Sequence, residues 1–136
     1  KRADRMYKYF SVHTIPENVW LGVTVENQKV KDRIDYLKKL DAPVRFLSCE
    51  PLLEDLGALD LSDIDWVIVG GEARKMEKDW ILNIKSQCDV STGTAFFFKQ
   101  WGTWSADGVK RSAKENGCLL DEKEYHAYPT PRKIKP

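Results

Sequence analysis

The chain has 136 residues, 42% of them hydrophobic and 32% charged, enough to bury one core and too apolar for a disordered chain. Lys and Arg number 22 against 21 Asp and Glu, so the net charge of +1 supplies no general field for nucleic acid or an acidic membrane. No apolar run nears the ~20 residues that a membrane helix needs, and the opening residues do not read as a signal peptide, so a cytoplasmic protein is expected.

The opening KRADRMYKYF places Met6, Tyr9 and Phe10 at helical spacing, as in a helix already under way in a larger unit. HTIPENVW is a loop punctuated by Pro16 and Asn18. Val19 to Asn27 is a strand apolar at nearly every position, which predicts cover on both faces. Val30, Ile34, Leu37 and Leu40 then recur at helical spacing, predicting an amphipathic helix over Lys29 to Leu40 that ends before Pro43.

Val44 to Glu50 is a second strand, followed by the crossover PLLEDLGALDLSDI, where one or two helical turns are expected, and a third strand at Asp65 to Gly70. Trp80, Ile81, Ile84 and Cys88 mark one side of a helix from Glu77 to about Val90, and Thr94 to Gln100 is a fourth strand with three consecutive phenylalanines. Beyond Gly102 the periodicity fades, although CLLDEKEYHAY could form a strand or hairpin edge.

Alternating strands and helices at this spacing imply parallel strands, because parallel neighbours need long crossovers. The expected fold is α/β: a parallel (β/α) partial barrel of about four strands over residues 1–104, with an irregular tail over 105–136 that could pack on the same domain as a hairpin. The strand ends Glu26, Glu50, Glu72 and Lys99 fall 24, 22 and 27 residues apart, close to one βα unit per step.

In such a sheet every carboxyl end lies on one rim, where loops gather ligands. Glu26, Asn27, Glu50, Gly70, Gly71, Glu72, Lys99 and Gln100 are therefore the candidate site for a small-molecule ligand. Carboxylates brought together repel, so at least one should have a raised pKa unless Lys99 or a cation compensates. Each glutamate could instead cap a following helix, and Lys99 could reach water. Trp101 and Trp104 could stack on a ligand ring or act as core lids.

Cys49, Cys88 and Cys118, which stand 39 and 30 residues apart, have neither a metal-motif spacing nor the even number of a disulfide framework, and read as structural. His13 and His126 show no metal-ligand spacing, and no metal site is expected from it. Three glutamates could hold Mg²⁺ or Mn²⁺, but nothing in the sequence sets a coordination geometry. The basic clusters KRADRMYK and PRKIKP lie at the chain ends, where solvation accounts for them, and nucleic acid is not an expected partner.

Four blocks, VWLGVTVENQ, RFLSCEPLL, DWVIVGGE and FFFKQWG, resemble in order and separation the C-terminal half of a phage-associated three-cysteine-motif family related to radical S-adenosylmethionine enzymes. The likeness runs from about Lys1 to Gly102, and GCLLDEKEY looks like the family's closing segment. The resemblance implies a barrel whose N-terminal half binds a [4Fe-4S] cluster, with S-adenosylmethionine lying across the strand ends. Glu26, Asn27, Glu50 and Glu72 with its glycines occupy matching places.

Two departures bear on that likeness. The three-cysteine segment is absent, so no cofactor is expected in this chain alone, and the cluster would require completion by an N-terminal half. The loop ARKME after Glu72 is short and charged, where the family tends to a longer loop with glycine and proline. The competing expectation is a non-catalytic module, such as a mobile-element product, that forms a homodimer through open sheet edges.

Overall fold

The computed structural model describes residues 1–134 and contains one sheet of four parallel strands in sequential order: β1 (Leu21–Thr24), β2 (Arg45–Cys49), β3 (Trp66–Gly70) and β4 (Ala95–Gln100). The helices are α1 (Ala3–Phe10), α2 (Arg33–Lys38), α3 (Lys78–Val90) and the single turn α4 (Ala113–Asn116). The fold is therefore α/β, as the alternation predicts. Sequential rather than reversing strand order is the arrangement of barrel strands, in which all crossovers return on one side.

Strand register sorts the side chains into two faces. Val23, Leu47, Val67 and Phe96 form one row, with Cys49, Val69 and Phe98 beyond it, all buried against Ile34 and Leu37 of α2 and Ile81, Ile84 and Cys88 of α3. Residues of opposite parity, Phe46, Trp66, Thr24, Ser48, Ile68 and Phe97, are only half-buried. Cover on both faces, expected from the apolar runs, is thus not what forms. Helices pack on one face, while the other carries aromatic side chains that hold one another.

Gly22 belongs to that second face. A Cβ there would collide with the ring of Phe46, so glycine is what lets Phe46 lie across the sheet toward Trp66, 5.9 Å away between centroids.

The crossover over residues 51–64 forms no helix. Asp55 accepts from the Gly57 amide at 2.9 Å, Gly57 takes φ +65°, and Asp60 accepts from the Ser62 amide at 3.1 Å, so side chains close turns where a helix would need continuous backbone bonds. Lys31 donates to the carbonyls of Leu56 and Ala58 at 2.8 and 2.7 Å, and Gln87 donates to that of Gly57 at 2.9 Å, satisfying backbone groups that the missing helix leaves free. The predicted helix over Lys29 to Leu40 is likewise shorter, being a 3₁₀ turn at Gln28–Val30 followed by α2.

The segment beyond Gly102 returns to the sheet. The indole of Trp101 donates to the Leu119 carbonyl at 2.7 Å, Leu120 is buried, and Phe97 pairs with His126 in an antiparallel bridge along the outer edge of β4. No helix of the described residues is long and apolar enough to cross a membrane.

Candidate functional site

Alternation along β2 carries Phe46, Ser48 and then Glu50 to the open face, and along β4 it carries Phe97 and then Lys99. Where the strands stop, Lys99 Nζ donates to Glu50 Oε1 at 3.2 Å. The Glu50 side chain is 14% exposed and that of Lys99 53%, so a largely sheltered carboxylate meets a cation still in reach of solvent. Gly70, between them, leaves room for the pair, since a Cβ there would lie 3.0 Å from the Glu50 carboxyl. A cleft of about 300 Å³ opens at this point, lined by Ser48, Glu50, Trp66, Ile68, Phe97 and Lys99. Its walls are apolar and aromatic, with one charge pair at the mouth, the composition of a small-molecule pocket.

The remaining rim residues are placed differently. Glu26 is buried, and its carboxylate accepts from Lys1 at 2.9 Å and Arg33 at 3.1 Å. Burial pushes its pKa up, but the hydrogen bond from Lys1, then a backbone bond and the charges of Lys1 and Arg33, outweigh burial and hold it below the ordinary value. The repulsion expected of crowded carboxylates is thus compensated, Glu26 being paired with Lys1 and Arg33 and Glu50 with Lys99. Asn27, not Glu26, caps the following turn, accepting from the Lys29 amide at 3.0 Å.

Glu72 is exposed and borders a neighbouring cleft of about 320 Å³ with Pro51, Leu53, Ala73 and Arg74. Gly71 and Gln100 tie β3 to β4, the Gly71 amide donating to the Gln100 carbonyl at 2.9 Å and the Gln100 side chain donating to the Gly71 carbonyl at 3.2 Å. Gly71 has no space for a Cβ because the Trp101 carbonyl fills it. Of the eight rim residues, Glu50 and Lys99 therefore line the cleft, Gly70 leaves room for the Glu50 carboxyl, Glu72 borders a neighbouring cleft, and the other four brace the fold.

Ser48, Trp66, Ile68 and Phe97 were not legible as site residues. Each stands in a run apolar on both sides, and only the register shows which parity faces the helices. Trp101 is a core lid, buried and edge-on to Phe98 at 5.2 Å. Cys49 and Cys88 are buried thiols, and desolvation pushes Cys88 up to about 12, far from a reactive thiolate.

Among the described residues no group of three or more His, Cys, Asp or Glu side chains could hold a metal ion, so the donor set of this chain does not fit an iron–sulfur cluster. The arrangement can bind a polar, partly aromatic molecule through one anion, one cation and two ring faces. It defines a parallel α/β protein with a cleft along the open face of its sheet that reaches the carboxyl ends of β2 and β4.

The chain belongs to the family described as "Protein of unknown function (DUF5131)", whose match spans residues 1–129. No curated protein and no solved structure matches it significantly.

Proposed function

We propose that this chain is the ligand-facing half of a radical S-adenosylmethionine-like protein of phage or mobile-element type, working in the cytoplasm, and that the cleft at Glu50 and Lys99 receives S-adenosylmethionine. The single observation that carries the reading is the Glu50–Lys99 pair, which joins the carboxyl ends of β2 and β4 across β3 at the mouth of a cleft walled by Trp66 and Phe97. A free amino acid group matches that pair in charge, its ammonium against Glu50 and its carboxylate against Lys99, while the aromatic walls suit a purine or a sulfonium centre. The four blocks described above support the choice of cofactor. This chain's residues bind and orient the molecule; ligands for a cluster would have to come from an N-terminal half, cut from a longer chain or encoded separately.

Calorimetric titration of S-adenosylmethionine tests the reading. Saturable binding should weaken by about tenfold or more in Glu50→Gln and in Lys99→Gln, since each change strands a charge of the ligand or of its partner. Absence of binding to the chain, or binding indifferent to both substitutions, would overturn it.

A second reading, a homodimer formed through sheet edges, has one observation in its favour. The outer edge of β1 has no strand partner among the described residues, and Trp20 beside it is 38% exposed. Light scattering tests this reading: a dimer that dissociates when Trp20→Lys places a charge at that edge supports it, and a monomer at high concentration removes it.

A further inference from the structure

Trp66 and Phe97, the aromatic walls of the cleft, are gripped from behind by a segment that has almost no structure of its own. The Phe98 amide donates to the Tyr125 carbonyl at 2.7 Å, and the next residue, His126, stacks on Phe97 with ring centroids 4.6 Å apart and planes inclined by 21°. The Trp66 indole donates to the Ala127 carbonyl at 2.9 Å, and the Tyr128 ring lies 5.2 Å from Trp66 and 5.5 Å from Phe97. At the far end the Arg132 amide donates to the Pro43 carbonyl at 2.9 Å, while its guanidinium donates to both carboxylate oxygens of Asp65, the residue before Trp66, at 2.6 and 2.5 Å.

We propose that residues 124–132 form a clasp that holds Trp66 and Phe97 as the fixed wall of the cleft, with His126 and Tyr128 as positioning residues and Arg132 as its lock. Three features separate a clasp from an ordinary packed tail. Residues 126–131 form no helix or ladder and are largely exposed, so little buried area holds them. Tyr125 anchors the segment on Phe96 of the core, 6.0 Å away between centroids, but from His126 to Tyr128 the attachments fall on the two cleft-lining rings, and Arg132 ties the far end to Asp65 and Pro43. The lock is a charge-assisted contact, partly sheltered from water, in which one guanidinium nitrogen of Arg132, Nη2, donates to both Asp65 oxygens and to the Asp63 carbonyl at 3.3 Å. An open clasp leaves Trp66 with Trp20, Phe46 and Phe97 alone, without the Ala127 hydrogen bond and the Tyr128 ring.

Arg132→Ala in the full chain tests the clasp by proton–nitrogen NMR. The Trp66 indole N–H and the Phe98 amide both end on clasp carbonyls, so their exchange should accelerate by roughly tenfold or more, with a shift of the indole resonance. The amides of Val67 and Val69, inside the sheet, should keep their rates. Arg132→Lys retains the charge on a shorter, more strongly hydrated head and should fall between. Tyr128→Ala, which spares the lock, should broaden the Trp66 indole signal alone.

Unchanged exchange at the Trp66 indole, or equal acceleration at Val67 and Val69, would overturn the proposal, the latter because the segment would then be inseparable from the fold. The effect on ligand rests on the function proposed above: S-adenosylmethionine affinity should drop several-fold in Arg132→Ala with little change in Tm. A wild-type chain that binds none would sink that function and leave the clasp standing on its exchange rates.

Discussion

The two faces of the sheet are written in alternate residues of the same four strands, yet they are different materials. On the helix side Val23, Leu47, Val67 and Phe98 are sealed by α2 and α3, and each is at most 3% exposed. On the other side Phe46, Trp66 and Phe97 lean on one another and on residues 126–128. A core that is closed all round resists rearrangement, whereas a face held by ring-to-ring contacts and an extended strap leaves room for a ligand. One face is sealed for stability, and the other is the face on which ligand binding is proposed.

Adjacent phenylalanines break or sharpen this contrast most directly. Phe98→Ala should destabilise the chain by about 3–5 kcal/mol, the cost of a cavity in a sealed core. Phe97→Ala, one residue earlier, should cost about 1–2 kcal/mol, because a half-buried ring leaves no closed void. Denaturant unfolding of both variants makes the comparison, and equal losses would mean that the two faces are not distinct.

Gly70→Ala comes next. The added methyl presses on the Glu50 carboxyl and should separate it from Lys99, changing the cleft while altering stability by less than about 1 kcal/mol. Ligand titration alongside a melting curve separates the two effects.

The smallest effect concerns acid. Glu26 has a folded pKa below the ordinary 4.5, so it contributes stability above that pH and the contribution is lost as pH falls through the folded value. Glu26→Gln should therefore lower stability at neutral pH and flatten its decline below pH 4.5, as followed by denaturant midpoints across the acid range.

How much of this was visible in the residues alone depends on the range of the signal. Strand order, chain direction and the polar ends at Glu50 and Lys99 follow from apolar runs and their spacing, which are local. The capping box that starts α4, Ser112 with Glu115, is also local, yet it lies in polar sequence where periodicity gives no support. The parity of Ser48, Ile68 and Phe97 is not local, because a run such as FFF reads alike from either side and only pairing with β3 decides. Nor is the contact of Arg132 with Asp65, 67 residues away. Glu26 shows the converse: it stands at a strand end like Glu50, but Lys1 and Arg33 claim it for the fold.

The central claim is that ligand binds on the open face at Glu50 and Lys99. The measurement that meets it most directly is a proton–nitrogen NMR titration with S-adenosylmethionine. Shifts confined to Ser48, Glu50, Ile68, Phe97, Lys99 and the Trp66 indole are the predicted result. Saturation with no shift in those signals, or shifts gathered around Glu26 and α2, would contradict it.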